Sequence, residues 1–292
     1  MRRFLILICL GWIAATLPGL SQSSRALAHE VMHSEILDRD IAYTVYLPAD
    51  YETSDRQYRI LYLLHGYGGD EANWLYYGEM DKTADELSAT GQIQPLIIVS
   101  PNADNGWYIN LADGSDDYED MFIKEFIPHI EKNYKVFGTK ITRAIGGLSM
   151  GGYGSLLYSI KYPDLFGVCI ALSAAVMTDQ EMLDRFNGKG GSGYGMMELY
   201  GCTKKQLSEH WYANSILKLV QDMPEDQRKA VNFYIDCGDD DFLYRGNSTL
   251  HMLMRDKGIT HQYRVRNGGH SWDYWRSGLR DGLIYMYQVQ RF

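Results

Sequence analysis

In 292 residues no more than two lysines or arginines are ever adjacent, and no glycine-rich loop ends in Gly-Lys followed by Ser or Thr. Acids outnumber Lys and Arg by 37 to 28, for a formal net charge of −9. A chain so short of clustered positive charge is a poor binder of nucleic acid or anionic lipid, and the missing Gly-Lys motif argues against a phosphate-cradling loop. Cysteine is scarce at four, and Cys9 lies in the apolar N-terminal run. The remaining Cys169, Cys202 and Cys237 are an odd set that makes no disulfide framework; their spacing matches no zinc site. One pair, Cys202 with Cys237, is left open, while Cys169 sits in the apolar run 166–172 and reads as a core residue. Repeats, low-complexity tracts and Pro/Gly/Ser linkers are absent too, so nothing divides the chain into separate domains.

What is present begins with a leader-like N-terminus. Arg2 and Arg3 precede an apolar run from Phe4 to about Leu20, and Ala26-Leu27-Ala28 offers a small-x-small cleavage site. An uncleaved membrane anchor is the competing reading, but Pro18, Gly19 and the polar 21–25 stretch shorten the run. Residues 1–28 are therefore expected to be a signal peptide, and 29–292 a single exported domain, periplasmic or secreted, with no lasting membrane insertion. Cleavage there removes Arg2, Arg3 and Arg25 and no acid, taking the formal charge to −12. Tyrosine is abundant at 23; its amphipathic ring suits polar or aromatic ligand sites as well as strands and core edges.

Strand-length apolar runs alternate with helix-like segments, the pattern of an α/β protein with a mostly parallel central sheet and helices on both faces. Strands are expected at 41–47 (an opening strand at the sheet edge), 59–64, 95–100, 141–146, 166–173, 231–236 and 262–266. Helices are expected at 118–133, opened by a capping box of Asp116 with Glu119, and at 151–161, 247–257 and 272–290. The stretch 174–230, rich in glycine and methionine, reads as an excursion over the sheet.

Chemistry-bearing motifs fall where strands end, which is where open α/β sheets bind ligands. Gly147-Leu148-Ser149-Met150-Gly151 joins a strand to a helix. A nucleophile held on so sharp a turn needs small flanking residues for strand and helix to approach each other. The plainer alternative is a glycine turn with a capping serine. A serine hydroxyl needs an imidazole base, and the imidazole a carboxylate to hold its tautomer. His270 follows the strand 262–266, and Asp239, Asp240 and Asp241 follow 231–236, in the chain order Ser, acid, His. Position alone does not choose among the three aspartates. Asp241 is preferred, because a few loop residues are needed to swing a carboxylate toward the histidine, and Phe242 and Leu243 would bury that end of the loop. Leu63–Gly69 follows an early strand, where a second oxyanion donor belongs; the backbone N–H groups of Tyr67 and Met150 are the candidates, with His65 holding the loop.

With these segments in place the chain resembles the esterase D-like branch of the α/β-hydrolases, from about Ser34 to Phe292. That group includes carbohydrate esterase family 1 (feruloyl and acetylxylan esterases), tributyrin-type esterases, S-formylglutathione hydrolases and mycolyltransferases. The resemblance rests on several markers: 63–69 with Trp74, Asn105-Gly106-Trp107-Tyr108, Tyr118-Glu119-Asp120 with Ile127-Pro128, and 147–154 with 162–167. Gly238–Leu243 and Gly269-His270-Ser271-Trp272 with Trp275 complete it.

The resemblance implies an α/β-hydrolase fold, a triad of Ser149, Asp241 and His270, and an oxyanion hole from Tyr67 and Met150. Its pattern of Gly, two residues, then Asp before an apolar pair favours Asp241 over its neighbours. Trp107, Tyr108 and Trp272 are expected at the substrate pocket. The implied reaction is hydrolysis of carboxylic esters through an acyl-enzyme, with no metal or organic cofactor. Its favoured substrates are acetyl or feruloyl esters on plant polysaccharide. A general short-chain carboxylesterase and an acyltransferase of the same fold are the alternatives. S-formylglutathione, a cytosolic metabolite, is disfavoured by the leader. A non-enzymatic binding scaffold is disfavoured because nucleophile and base are both present.

Overall fold

The computed structural model describes residues 23–189 and 193–290. Eight strands form one sheet: β1 (Arg25–Ser34), β2 (Arg39–Leu47), β3 (Arg59–Leu64), β4 (Leu96–Pro101), β5 (Arg143–Leu148), β6 (Val168–Leu172), β7 (Asn232–Asp236) and β8 (His261–Arg264). Their order is β1-β2-β4-β3-β5-β6-β7-β8. β2 runs antiparallel to both of its neighbours, and every pairing from β4 to β8 is parallel.

The central strands are buried on both faces, so they read as continuous apolar runs whose residues alternate between two cores. Ile60, Tyr62, Leu64, Ile145, Cys169 and Ile235 point into one, with the helix Met150–Lys161. Leu61, Leu63, Ala144, Leu148, Ile170 and Leu172 point into the other, against the helices Met80–Ala89 and Trp272–Val289. Tyrosine fills these cores: Tyr46, Tyr58, Tyr62, Tyr118, Tyr158 and Tyr234 are all buried. Most of its abundance is therefore core packing.

Four expectations change. The sheet edge is β1, not the strand at 41–47. β1 starts at Arg25 and pairs Arg25 with Leu47, Ala26 with Tyr46 and Leu27 with Val45, so the folded domain reaches into the segment expected to be leader. Residues 1–22 of that leader lie outside the described residues. The helix at 118–133 widens into a π turn over Phe122–Phe126 before continuing as Ile127–Asn133. Pro128 lacks an N–H and crowds the carbonyl four residues back, and a wider turn relieves both. No side chain caps that helix, whose N-cap is Asp117. Asp116 pairs with Arg39 at 3.1 Å, and Glu119 with Lys161 at 2.8 Å. Finally, Asn73–Tyr76 and Met80–Ala89 are helices that the pattern did not suggest.

The excursion folds into the helices Asp179–Phe186, Met196–Leu199, Glu209–Asn214 and Ile216–Asp222. Met182, Phe186, Met196, Trp211, Ile216 and Val220 bury themselves in the first core, so the segment belongs to the same domain. Among the described residues no helix is long and apolar enough to cross a membrane.

Candidate active site

Four parallel strands deliver the site. β3 ends at Leu64 just before Gly66 and Tyr67, and β5 ends at Leu148 just before Ser149. The loops after β7 and β8 carry Asp241 and His270. At the turn after β5 the backbone leaves no room for side chains. A Cβ on Gly147 would meet the Gly151 carbonyl carbon at 2.6 Å, and one on Gly151 would meet Leu64 O at 2.3 Å. Ser149 sits between them at φ 53°, a conformation that non-glycine residues rarely adopt. This strain raises its hydroxyl above the first turn of the helix Met150–Lys161.

The hydroxyl meets an imidazole. His270 Nε2 lies 3.0 Å from Ser149 Oγ, and His270 Nδ1 lies 2.9 Å from Asp241 Oδ2. An ionised carboxylate only accepts, so Nδ1 carries the proton and Nε2 is left to accept from the serine. Asp241 is fully buried at its side chain and also accepts from Leu243 N–H at 2.9 Å. Burial by itself pushes this carboxyl up. The hydrogen bond and charge of His270, with help from Leu243 and Ser173, outweigh that and hold it below its ordinary value.

The two loops are laced together: Asp239 N donates to Arg266 O and Asp240 N to Gly268 O, each at 3.1 Å. Gly238 approaches Gly268 so closely that a Cβ would sit 2.0 Å from its carbonyl oxygen. Asp239 accepts from Gly268 N–H at 2.9 Å, and Asp240 is exposed. Of the three aspartates, only Asp241 reaches the imidazole. A second brace comes from the last helix. Trp275 Nε1 donates to Ser173 Oγ at 3.0 Å, and Ser173, buried at φ 44°, is among the groups that hold the Asp241 carboxyl low. The Trp275 ring stands edge-on to His270 with centroids 4.8 Å apart, and Phe242 covers another side of the imidazole at 4.6 Å.

The loop after β3 is fixed by its own histidine. His65 Nε2 accepts from Ala103 N–H at 2.9 Å, so Nδ1 donates to Gly66 O at 2.8 Å. Burial lowers the His65 pKa and keeps the ring neutral. Asn105 Oδ1 accepts from Gly68 N–H at 2.7 Å. The N–H groups of Tyr67 and Met150 find no backbone acceptor among the described residues.

A strained serine, a histidine beside it and a buried carboxylate behind the histidine make up the relay of a serine hydrolase. A family model described as "Putative esterase" matches residues 34–286. The chain belongs to this esterase family. An acetyl esterase of Caldicellulosiruptor saccharolyticus is 28% identical over 272 residues, covering 88% of this chain and 96% of that protein. A solved ferulic acid esterase superposes with a TM-score of 0.78 at 34% identity, over 91% of this chain and 99% of that one. The endo-1,4-beta-xylanase/feruloyl esterase of Xylanibacter ruminicola is 34% identical over 150 residues, which are 48% of this chain and 20% of that protein. The fold is that of the α/β-hydrolases, and the esterase is a carboxylic ester hydrolase.

Two hollows flank Ser149 and His270 in this esterase. One, of about 200 Å³, is walled by Tyr67, Trp107, Ala175, Met177, Tyr194 and Phe242. The other, of about 290 Å³, lies between the Gly66–Gly69 loop, Asn73, Trp272 and Trp275. Trp107 and Trp272 are thus each in a wall, of different hollows. Tyr108 is not. It is fully buried, donates to His65 O at 2.9 Å and packs against Tyr118. A Cβ on Gly154 would lie 2.7 Å from its ring. Tyr108 is therefore a strut under the oxyanion loop, and the expectation of a rim residue is corrected.

Phe242 is corrected as well: it is 49% exposed at the cleft mouth, while Leu243 is the buried one. Tyr194, Ala175 and Met177 went unrecognised, because nothing in a glycine- and methionine-rich stretch marks which residue turns inward. Cys169, Cys202 and Cys237 are all free thiols, and burial pushes Cys169 up to about 12.

Proposed function

We propose that this esterase is exported and cleaves acetyl or feruloyl esters on plant polysaccharide through an acyl-enzyme on Ser149. The observation that carries the chemistry is the unbroken chain Ser149–His270–Asp241 opening onto an aromatic-walled cleft. His270 Nε2 takes the serine proton as Oγ attacks the ester carbonyl, and Asp241 stabilises the imidazolium that forms. The free N–H groups of Tyr67 and Met150 receive the developing oxyanion, each such donor being worth about 3 kcal/mol. The helix that starts at Met150 adds the positive end of its dipole. His270 then returns the proton to the leaving alcohol, and water repeats the cycle on the acyl group.

The similarity to an acetyl esterase and to ferulic acid esterases supports the acyl groups named. The aromatic wall of Tyr67, Trp107, Tyr194 and Phe242 suits a flat aryl acyl chain. Export is supported by Arg2, Arg3 and the apolar run that follows. One panel tests the reading: methyl ferulate, acetylated xylan and p-nitrophenyl esters of rising chain length, with Ser149→Ala as control. Turnover of the first two at rates near p-nitrophenyl acetate is expected. Activity confined to the p-nitrophenyl esters would identify a general short-chain carboxylesterase instead.

A further inference from the structure

The cleft over Ser149 continues past its own walls. Tyr194 and Phe242, on its outer side, also line a second hollow of about 440 Å³. The rest of that groove comes from two segments: Glu181, Asp184, Arg185 and Lys189 on and after the helix Asp179–Phe186, and Tyr244 and Arg245 at the start of the helix Tyr244–Asp256.

These two walls are locked to each other. A Cβ on Gly246 would lie 1.7 Å from Val176 O, so the backbones touch directly. Asn247 Nδ2 donates to Ala174 O at 2.8 Å. The helix carrying Glu181 is fixed by a capping box in which Thr178 and Glu181 bond each other's backbone N–H. The groove is preformed, which lowers the entropy lost when a ligand settles in it.

Its chemistry is mixed in a telling way. A site for an anion or a cation would be lined by the opposite charge, but here three cations alternate with two carboxylates. Arg245 Nε lies 3.6 Å from Glu181, and the guanidinium of Arg185 sits 5.9 Å from the Tyr194 ring centre. Phe242 and Tyr244 are about half exposed, at 49% and 51%. Hydroxyl groups both donate and accept, so a neutral polyol uses carboxylates and cations together, while ring faces cover its C–H surface.

We propose that this groove is a sugar-chain subsite, binding neutral glycosyl residues of the polymer whose ester lies at Ser149. The assignment rests on the polysaccharide reading above and adds to it the residues that would grip the chain.

The test separates the two. Binding of unsubstituted xylohexaose to Ser149→Ala protein is measured by calorimetry, with and without Tyr244→Ala or Arg245→Ala. In parallel, kcat and KM are measured for acetylated xylan and p-nitrophenyl acetate. Each groove substitution should weaken xylohexaose binding and raise KM for acetylated xylan by roughly tenfold, with p-nitrophenyl acetate turnover held. Equal losses on both esters would make the groove part of the catalytic cleft's framework and overturn the proposal. So would unchanged values on both, or no xylohexaose binding to the parent Ser149→Ala protein. Oligosaccharide binding that depends on Tyr244, in an enzyme inactive on acetylated xylan, would leave the subsite standing and refute only the substrate reading.

Discussion

The amino-terminal rim of the sheet carries a hollow of about 510 Å³, lined by residues such as Arg56, Arg59, Gln94, Phe137 and Tyr287. The carboxyl rim carries the cleft over Ser149, at about 200 Å³. By size alone the first would be the site. Its arginines, however, are already engaged: Arg56 pairs with Asp50 at 2.5 Å, and Arg59 donates to Gln94 and to Gln290 O. None of its lining residues has a positive φ. At the other rim Trp107, Tyr108, Ser149, Ser173 and Tyr194 are all left-handed, and strain of this kind persists only where the surroundings enforce it. The lesson is that a parallel sheet has one reactive end. Helix N-termini and strand-end loops converge there, whatever volume lies at the other end.

The contrast breaks most sharply at the nucleophile. Ser149→Ala should lower kcat for p-nitrophenyl acetate by about 10⁶-fold while leaving the circular dichroism spectrum intact; retained activity would move the site elsewhere. Next, Asp241→Asn should cost about 10⁴-fold in kcat, because the amide no longer holds His270 in the working tautomer. Asp239→Asn and Asp240→Asn should change the rate by about twofold at most. A large effect at Asp240 would reassign the acid.

Ser173→Gly sharpens the comparison at a residue that touches no substrate. Glycine tolerates φ 44°, so the variant removes the hydroxymethyl group that accepts from Trp275 and helps hold the Asp241 carboxyl low, without straining the backbone. A loss of about tenfold to a hundredfold in kcat, with KM held and a shifted pH–rate profile, is expected from a misaligned carboxylate. Unaltered kinetics would reduce Ser173 to packing.

A smaller effect concerns pH. Burial lowers the folded pKa of His65 below 6.5, so below that pH the unfolded chain binds a proton that the native ring refuses. Stability therefore rises with pH through this window and is lost as pH falls below about 6.5. The thermal midpoint should drop between pH 7 and pH 5, less steeply in His65→Gln. Last, Arg56→Ala at the amino-terminal rim should leave kcat/KM within about twofold; a marked change there would mean the larger hollow participates.

Much of this is legible in the sequence. β3 was read at its observed bounds, and β5 and the helix after it were placed within two residues, because runs buried on both faces announce themselves. The Ser, Asp, His order was legible for a related reason: each residue follows a readable strand. β1 was hidden because its first residues look like the end of a leader. The capping box at Asp116 failed because Arg39, distant in the chain, claimed that carboxylate.

What the amino-acid sequence determined by itself is local: Gly147 and Gly151 around Ser149, the alternation of strands and helices, and the small residues at which loops turn. These follow from steric rules acting within a few residues. The tertiary structure alone decided that Tyr108 props a loop while Trp107 lines the cleft, that Phe242 stands exposed at the mouth while Leu243 is buried, and that Tyr194 and Phe242 join two hollows into one path. Each depends on where chain segments far apart in sequence come to rest against each other, and adjacent residues of like chemistry are separated only by the direction their backbone imposes.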